Sequence, residues 1–241
     1  MVAKSELKLI RSLHQKKYRT REGLFLAEGV KLVGELLGAG MEAYSLYSTD
    51  PGEFPGAREI SENDLKKASA LVQPNKVIGV FRIPDPVSLS LDGWALALDG
   101  VRDPGNLGTI IRLCDWFGIP ELLCSPDTVD CYNPKVLQAT MGSVARVRIA
   151  YQPLPETLDA CGLPVYGASM DGSPVGSGTA VQPGILVMGS ESHGLSGAVR
   201  DRLSQTWAIP AYGQAESLNV ATATAILLYE IRRQAGPVTQ K

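Results

Sequence analysis

Three polar, glycine-bearing stretches carry most of the side chains suited to chemistry. The first is Asp99-Gly100-Val101-Arg102-Asp103-Pro104-Gly105-Asn106-Leu107-Gly108-Thr109-Ile110-Ile111-Arg112. Pro104-Gly105 predicts a tight turn, and Asn106 is placed to cap the helix that follows. Arg112 falls among Ile110, Ile111, Leu113 and Cys114, a setting in which a permanent charge needs a fixed partner or a chemical task. The second stretch is Gly189-Ser190-Glu191-Ser192-His193-Gly194. There Glu191 can accept a hydrogen bond from a hydroxyl, a base edge or an arginine, and Gly189 would let a ligand approach the backbone closely. The third runs from Ile209-Pro210 to Glu216-Ser217-Leu218-Asn219 and leads into a small, apolar helix over 219–231. Ser217 or Asn219 opens that helix by accepting from its free N–H groups.

Several chemistries are disfavoured. Ser192 lies in a near miss to a hydrolase nucleophile elbow, because Ser190 stands where a glycine is needed. The only two histidines, His14 and His193, leave a serine triad without a convincing base. Neither G-x-G-x-x-G nor a Walker loop follows the strand ending at Asp99, which argues against a nicotinamide cofactor or a P-loop. The four cysteines, Cys114, Cys124, Cys131 and Cys161, form no C-x-x-C pair and have no nearby histidine, so no metal site is expected.

The elements that position these stretches follow from hydrophobic pattern. Apolar runs at 94–99, 121–124, 147–149, 165–169, 185–189 and 206–209 alternate with helical segments at 107–117, 134–141, 155–160 and 197–203. That alternation predicts a parallel sheet with helices on both faces, with ligands outside the carboxyl ends of its strands. Ahead of it, helices at 5–17, 29–37 and from Ser61 alternate with strands at 23–27, 43–47 and 77–83 in a smaller unit. The predicted organisation is therefore an N-terminal unit at 1–83, a Pro-rich linker at 84–92 and a C-terminal unit at 93–241. Asp171–Gly178 is expected to be a surface loop.

At 241 residues, 44% apolar and 20% charged, the chain has the composition of a globular protein, and its formal net charge is only −2. No apolar run reaches transmembrane length, and Met1–Glu6 leads into a charged helix rather than a signal peptide, so a cytoplasmic location is expected. Charge is uneven: Lys4, Lys8, Arg11, Lys16, Lys17, Arg19 and Arg21 face one acid, Glu6, within the first 21 residues. Such a segment can meet phosphates.

Taken in order, Asn106-x-Gly-x-x-x-Arg112, Gly189-x-Glu191-x-x-Gly194 and Ile209-Pro…Glu216-Ser217-Leu218-Asn219 resemble the three motifs of the SpoU (TrmH-like) RNA 2′-O-ribose methyltransferases. Residues 1–82, most recognisably Phe25-Leu26-Ala27-Glu28-Gly29, resemble the small α/β substrate-binding domain, related to RNA-binding ribosomal proteins, that often precedes this catalytic domain. The resemblance implies an α/β parallel sheet tied in a trefoil knot, a homodimer with the final helix in its interface, and S-adenosylmethionine held near Met188, Gly189, Ile209 and Leu218. It implies that Arg112 activates a ribose 2′-hydroxyl, with Asn106, Glu191, Ser217 and Asn219 positioning Arg112 or the substrate, and without a metal. A guanidinium is a poor general base, so stabilisation of negative charge on the 2′-oxygen is the alternative role for Arg112. RNA rather than DNA is the expected partner, since only RNA carries the 2′-hydroxyl, with Lys16, Lys17, Arg19 and Arg21 as phosphate contacts. Ribosomal RNA is expected ahead of transfer RNA. The competing readings are a non-catalytic RNA-binding or ribosome-assembly module, and a base-methylating relative.

Overall fold

A computed structural model describes residues 2–177 and 181–234, and the chain divides into two compact units. The first comprises residues 1–86 together with 130–146. It contains α1 (Lys4–Ser12), α2 (Lys16–Glu22), β1 (Leu24–Glu28), α3 (Val30–Gly38), β2 (Ala43–Ser48), β3 (Arg58–Glu59), α4 (Glu62–Ala68) and β4 (Val77–Arg82). The sheet order is β1-β4-β2-β3, with β4 antiparallel to both neighbours and β2 parallel to the short β3. Ile10, Leu13, Leu26, Ile78 and Val80 belong to its core. The helix expected over 5–17 is broken: Leu13 ends α1 and Gln15, in an extended conformation, begins α2. The break buries Leu13 completely and aims Arg19 inward.

Residues 130–146 correct the sequence reading, which placed them in the C-terminal unit. They carry α6 (Pro134–Thr140) and pack in the first unit. Arg19 donates through Nε to Asp130 at 3.0 Å, and the Tyr132 ring lies 4.7 Å from that of Phe25. Gln138 Nε2 donates to the Glu28 carbonyl at 2.6 Å, and Arg146 pairs with Glu35 at 2.8 Å. These bonds satisfy polar groups that β1 and its neighbours would otherwise leave open.

The second unit comprises 87–129 and 147–241. Its elements are β5 (Ala95–Asp99), α5 (Pro104–Trp116), β6 (Glu121–Cys124), β7 (Arg148–Tyr151), α7 (Leu154–Ala160), β8 (Val165–Pro174), β9 (Ile185–Gly189), α8 (Gly197–Arg200), β10 (Gln205–Ala208) and α9 (Val220–Gln234). All six strands run parallel in the order β10-β8-β9-β5-β6-β7. Central strands of such sheets are buried on both sides, which is why β5 and β9 read as unbroken apolar runs. Ala95 and Ala97 share a core with Leu154 and Leu158 of α7 and Val199 of α8, while Leu96 and Leu98 point to the opposite face and are fully buried. Helices α5 and α9 pack on each other. Arg232 fastens their far ends, donating to the carbonyls of Phe117 (2.7 Å) and Gly118 (2.6 Å).

Two further differences concern boundaries. The last part of the expected linker belongs to this unit, because the Glu121 carboxylate accepts from the backbone N–H of Ser90 and of Leu91, each at 2.9 Å. Asp171–Pro174 is not loop but the end of β8; opposite β10 the pairing jumps from Gly167 to Ser173, so 168–172 bulge out. Gly178 lies outside the described residues. None of the described helices is long and apolar enough to cross a membrane.

Candidate active site

Strand order creates the site. β5 and β9 are neighbours, and their last residues, Asp99 and Gly189, are register partners, so the first two polar stretches leave the sheet side by side. After Asp99 the chain turns at Gly100 (φ +73°) into α5. The cap of α5 is Asp103, whose side chain accepts from the Asn106 N–H at 2.8 Å, with Pro104 in the first helical position. Asn106 is therefore not the cap expected from sequence. Its amide is free to work elsewhere.

The second stretch closes on itself. Ser190 and Gly194 exchange backbone hydrogen bonds of 3.1 and 2.8 Å, and the His193 N–H donates to Ser190 Oγ at 3.2 Å. A Cβ on Gly189 would stand 2.2 Å from the Gly194 carbonyl carbon. The close approach that requires this glycine is thus made by the chain's own backbone, not by a ligand. The effect is to hold Glu191 at the apex of a tight loop.

The third stretch supplies Asn219, which caps α9: Oδ1 accepts from the N–H groups of Ala221 (3.0 Å) and Thr222 (3.2 Å). Its amide nitrogen donates to Asn106 Oδ1 (2.9 Å) and to Glu191 Oε1 (3.2 Å). Asn106 Nδ2 also donates to Glu191 Oε1. Three side chains from three strand ends thus form one closed network. It occupies a single carboxylate oxygen, Oε1, and among the described residues Glu191 Oε2 has no hydrogen-bond partner.

Glu191 of this network lines two cavities. The larger, about 1040 Å³, is lined by all four residues expected to hold a cofactor, Met188, Gly189, Ile209 and Leu218, and by Ser217. The smaller, about 290 Å³, is bounded by Asp99, Arg102, Asp103 and Asp127. Ser190, Glu191, His193, Gly194 and Val220 line both. Asp127 is held below the usual carboxylate range chiefly by the Ser125 hydroxyl, against the opposing effect of burial, with help from Arg102 at 3.1 Å. Sequence reasoning missed Asp127 and the β8 bulge, whose Ala168, Ser169 and Met170 line the larger cavity. Neither carries a pattern that spacing reveals.

Arg112 is not drawn into the network. It is exposed on α5, lines neither cavity and makes no hydrogen bond or ion pair among the described residues. One turn further along stands Trp116, 81% exposed. Ser217 is likewise exposed and makes no hydrogen bond among the described residues. No group of three or more metal-ligating side chains occurs among the described residues.

In the N-terminal unit, Lys16, Lys17 and Arg21 are exposed on α2, and the Lys17 ammonium and Arg21 guanidinium each lie 4.8 Å from the Tyr18 ring centre. Arg19 corrects the expected set of phosphate contacts. It is 2% exposed, bonds Asp130 and the Leu13 carbonyl (2.9 Å), and has no free face to offer an anion.

Comparison with known proteins matches both units. Residues 4–79 match the MRM3-like substrate binding domain. The 23S rRNA (guanosine(2553)-2′-O)-methyltransferase RlmP of Bacillus subtilis is 33% identical over 233 residues, spanning 92% of this chain and 94% of that protein. A TrmH-family protein of Porphyromonas gingivalis superposes with a TM-score of 0.88 at 39% identity, covering 97% of this chain and 99% of that one. The AdoMet-bound rRNA methyltransferase of Sinorhizobium meliloti gives a TM-score of 0.85 at 32% identity, with coverage of 97% and 96%. Residues 93–229, which carry the Asn106–Glu191–Asn219 network, match the SpoU rRNA Methylase family, and the chain belongs to that family.

Proposed function

We propose that the protein transfers a methyl group from S-adenosylmethionine to a ribose 2′-hydroxyl of ribosomal RNA. The observation that carries this reading is the network in which Asn106 and Asn219 hold Glu191, a residue that lines both cavities. The larger cavity fits the donor: its volume is at the upper end of small-molecule sites, and Met188, Ile209, Leu218 and Leu227 offer apolar surface to an adenosyl group. When bound there, S-adenosylmethionine supplies an electrophilic methyl group.

The chain's own residues orient the acceptor. Glu191 Oε2 is the open acceptor for a hydroxyl, and the two asparagine amides hold that carboxylate in one orientation, so little reorganisation is needed when a substrate arrives. The family resemblance assigns Arg112, which lines neither cavity of its own chain, to stabilising negative charge on the 2′-oxygen, since a guanidinium is a poor general base. Ser217, exposed on the cavity wall, adds a hydroxyl for the substrate. Lys16, Lys17 and Arg21 bind phosphates without reading sequence. The substrate-binding-domain match and the relatives named for rRNA support ribosomal RNA ahead of transfer RNA.

We infer further that the protein is a homodimer through its C-terminal unit. The support is two exposed aromatic side chains, Trp116 on α5 and Tyr229 on α9, carried by helices that pack on each other; the mass in solution tests it. The trefoil knot belongs to the same reading, supported by a chain that leaves the edge strand β10 and returns to pack α9 on α5.

The deciding experiment incubates labelled S-adenosylmethionine with ribosomal RNA, transfer RNA and ribosomal particles from cells lacking the protein, then digests the products to nucleosides. A 2′-O-methylnucleoside from ribosomal RNA or particles, made by wild type and not by Arg112→Ala, is expected. A methylated base, or no transfer to any pool, overturns the proposal.

A further inference from the structure

The larger cavity is poor in charge. Among the described residues lining it, Arg200 is the one guanidinium and Glu191 the one carboxylate. Glu191 is committed to the asparagine network and also faces the smaller cavity. Arg200, itself exposed, lines only the larger one, and its guanidinium makes no hydrogen bond or ion pair among the described residues. Its neighbour on the same turn differs sharply: Arg202 donates to the carbonyls of Pro155 (3.0 Å) and Ala198 (2.6 Å) and pairs with Asp159 at 2.7 Å. The Arg200 guanidinium lies beside Gly194, with Nη2 3.5 Å from where a Cβ would stand, an ordinary contact distance.

S-Adenosylmethionine ends in an amino acid whose carboxylate loses hydration inside a cavity and needs a counter-ion there. A guanidinium meets a carboxylate through two parallel N–H bonds, a geometry that suits it better than an ammonium. We infer that Arg200 is the partner of the donor's α-carboxylate and so fixes the amino-acid end of the molecule. This inference rests on the S-adenosylmethionine reading above.

The test is calorimetric binding to the full-length protein, without turnover, of S-adenosylmethionine, S-adenosylhomocysteine and 5′-methylthioadenosine, which lacks the amino-acid portion. Arg200→Gln should weaken the first two by about 10- to 100-fold and leave the third unchanged, and Arg200→Lys should recover part of the loss. Thermal unfolding of each variant monitors the fold. Unchanged affinity for S-adenosylmethionine in Arg200→Gln overturns the inference, as does an equal loss for methylthioadenosine. So does weakened RNA binding with donor affinity intact, which would assign the guanidinium to a phosphate. If wild type binds neither donor nor S-adenosylhomocysteine, the function proposed above fails as well; if only the Arg200 variants behave as wild type, this inference alone fails.

Discussion

Asn219 has two separable tasks, and one substitution divides them. Its Oδ1 caps α9, while its Nδ2 donates to Asn106 and Glu191. Asn219→Asp keeps a capping oxygen, which an anion at a helix N-terminus serves at least as well. It also puts a second oxygen where Nδ2 lay, 3.2 Å from Glu191 Oε1. Two like charges at that separation repel by about 1 kcal/mol in water and about 5 kcal/mol at an effective dielectric near 20. Both residues are exposed, so the lower figure sets the scale. Loss of two donated hydrogen bonds adds about 1 kcal/mol each. Asn219→Ala loses the same two bonds and the cap, which costs about 1 kcal/mol, but gains no repulsion.

Both variants should therefore be destabilised by about 2–4 kcal/mol at neutral pH. Acid separates them. Repulsion raises the folded-state pKa of the paired carboxylates above its unfolded value, so the Asn219→Asp penalty is full above the folded pKa and is relieved as pH falls through it. Urea unfolding at neutral pH and near pH ~5 should show Asn219→Asp gaining on Asn219→Ala, with methyl transfer lost in both. An Asn219→Asp protein with wild-type stability and activity at neutral pH would refute the network as an energetic unit.

Four other outcomes are expected. Arg19→Ala should lower stability by about 3–5 kcal/mol, because it leaves the part-buried Asp130 without its cation, whereas the triple change Lys16→Ala, Lys17→Ala, Arg21→Ala should keep the melting temperature and flatten the salt dependence of RNA binding by about 2–3 in log–log slope. Glu121 is opposed by burial but held below the usual range by the Ser90 and Leu91 N–H groups and by Arg148 at 2.7 Å. Its stabilisation is present above the unfolded-state pKa of ~4.3 and lost as pH falls through the folded value, so Glu121→Gln should be less stable at neutral pH and lose less on acidification, as read by urea midpoints. Gly189→Ala should displace the loop bearing Glu191 and abolish both donor binding and transfer, since its Cβ meets backbone rather than a side chain that can swing away.

The parts of the fold that were legible in the sequence are those whose burial is two-sided. β5, β6 and β9 have continuous apolar cores, with an acid only at the end of β5 (Asp99) and the start of β6 (Glu121), and their ends fall within a residue of the expected positions. What local pattern does not encode is partnership. The break between α1 and α2 depends on Leu13 and Arg19 finding the core and Asp130, and the length of β8 depends on resuming its pairing with β10 at Ser173. In the site, Glu191 and Asn219 were identifiable by type and position, but Asn106 was given the role of Asp103, three residues away and equally able to cap. That Glu191 and Asn106, 85 positions apart, would share a hydrogen bond follows only from the neighbouring placement of β5 and β9.

The excursion of residues 130–146 makes the first unit discontinuous in time as well as in sequence. A growing chain presents β1, β2 and β4 long before it presents α6, which packs on β1, or Asp130, which neutralises buried Arg19. Until residue 146 has been made, β1 lacks that cover and one guanidinium has no counter-charge, so the substrate-binding unit cannot mature ahead of the first strands of the catalytic one. The same arrangement means that the two modules are not interchangeable beads: a recombination at the linker would deliver an N-terminal half still waiting for a helix encoded beyond the crossover.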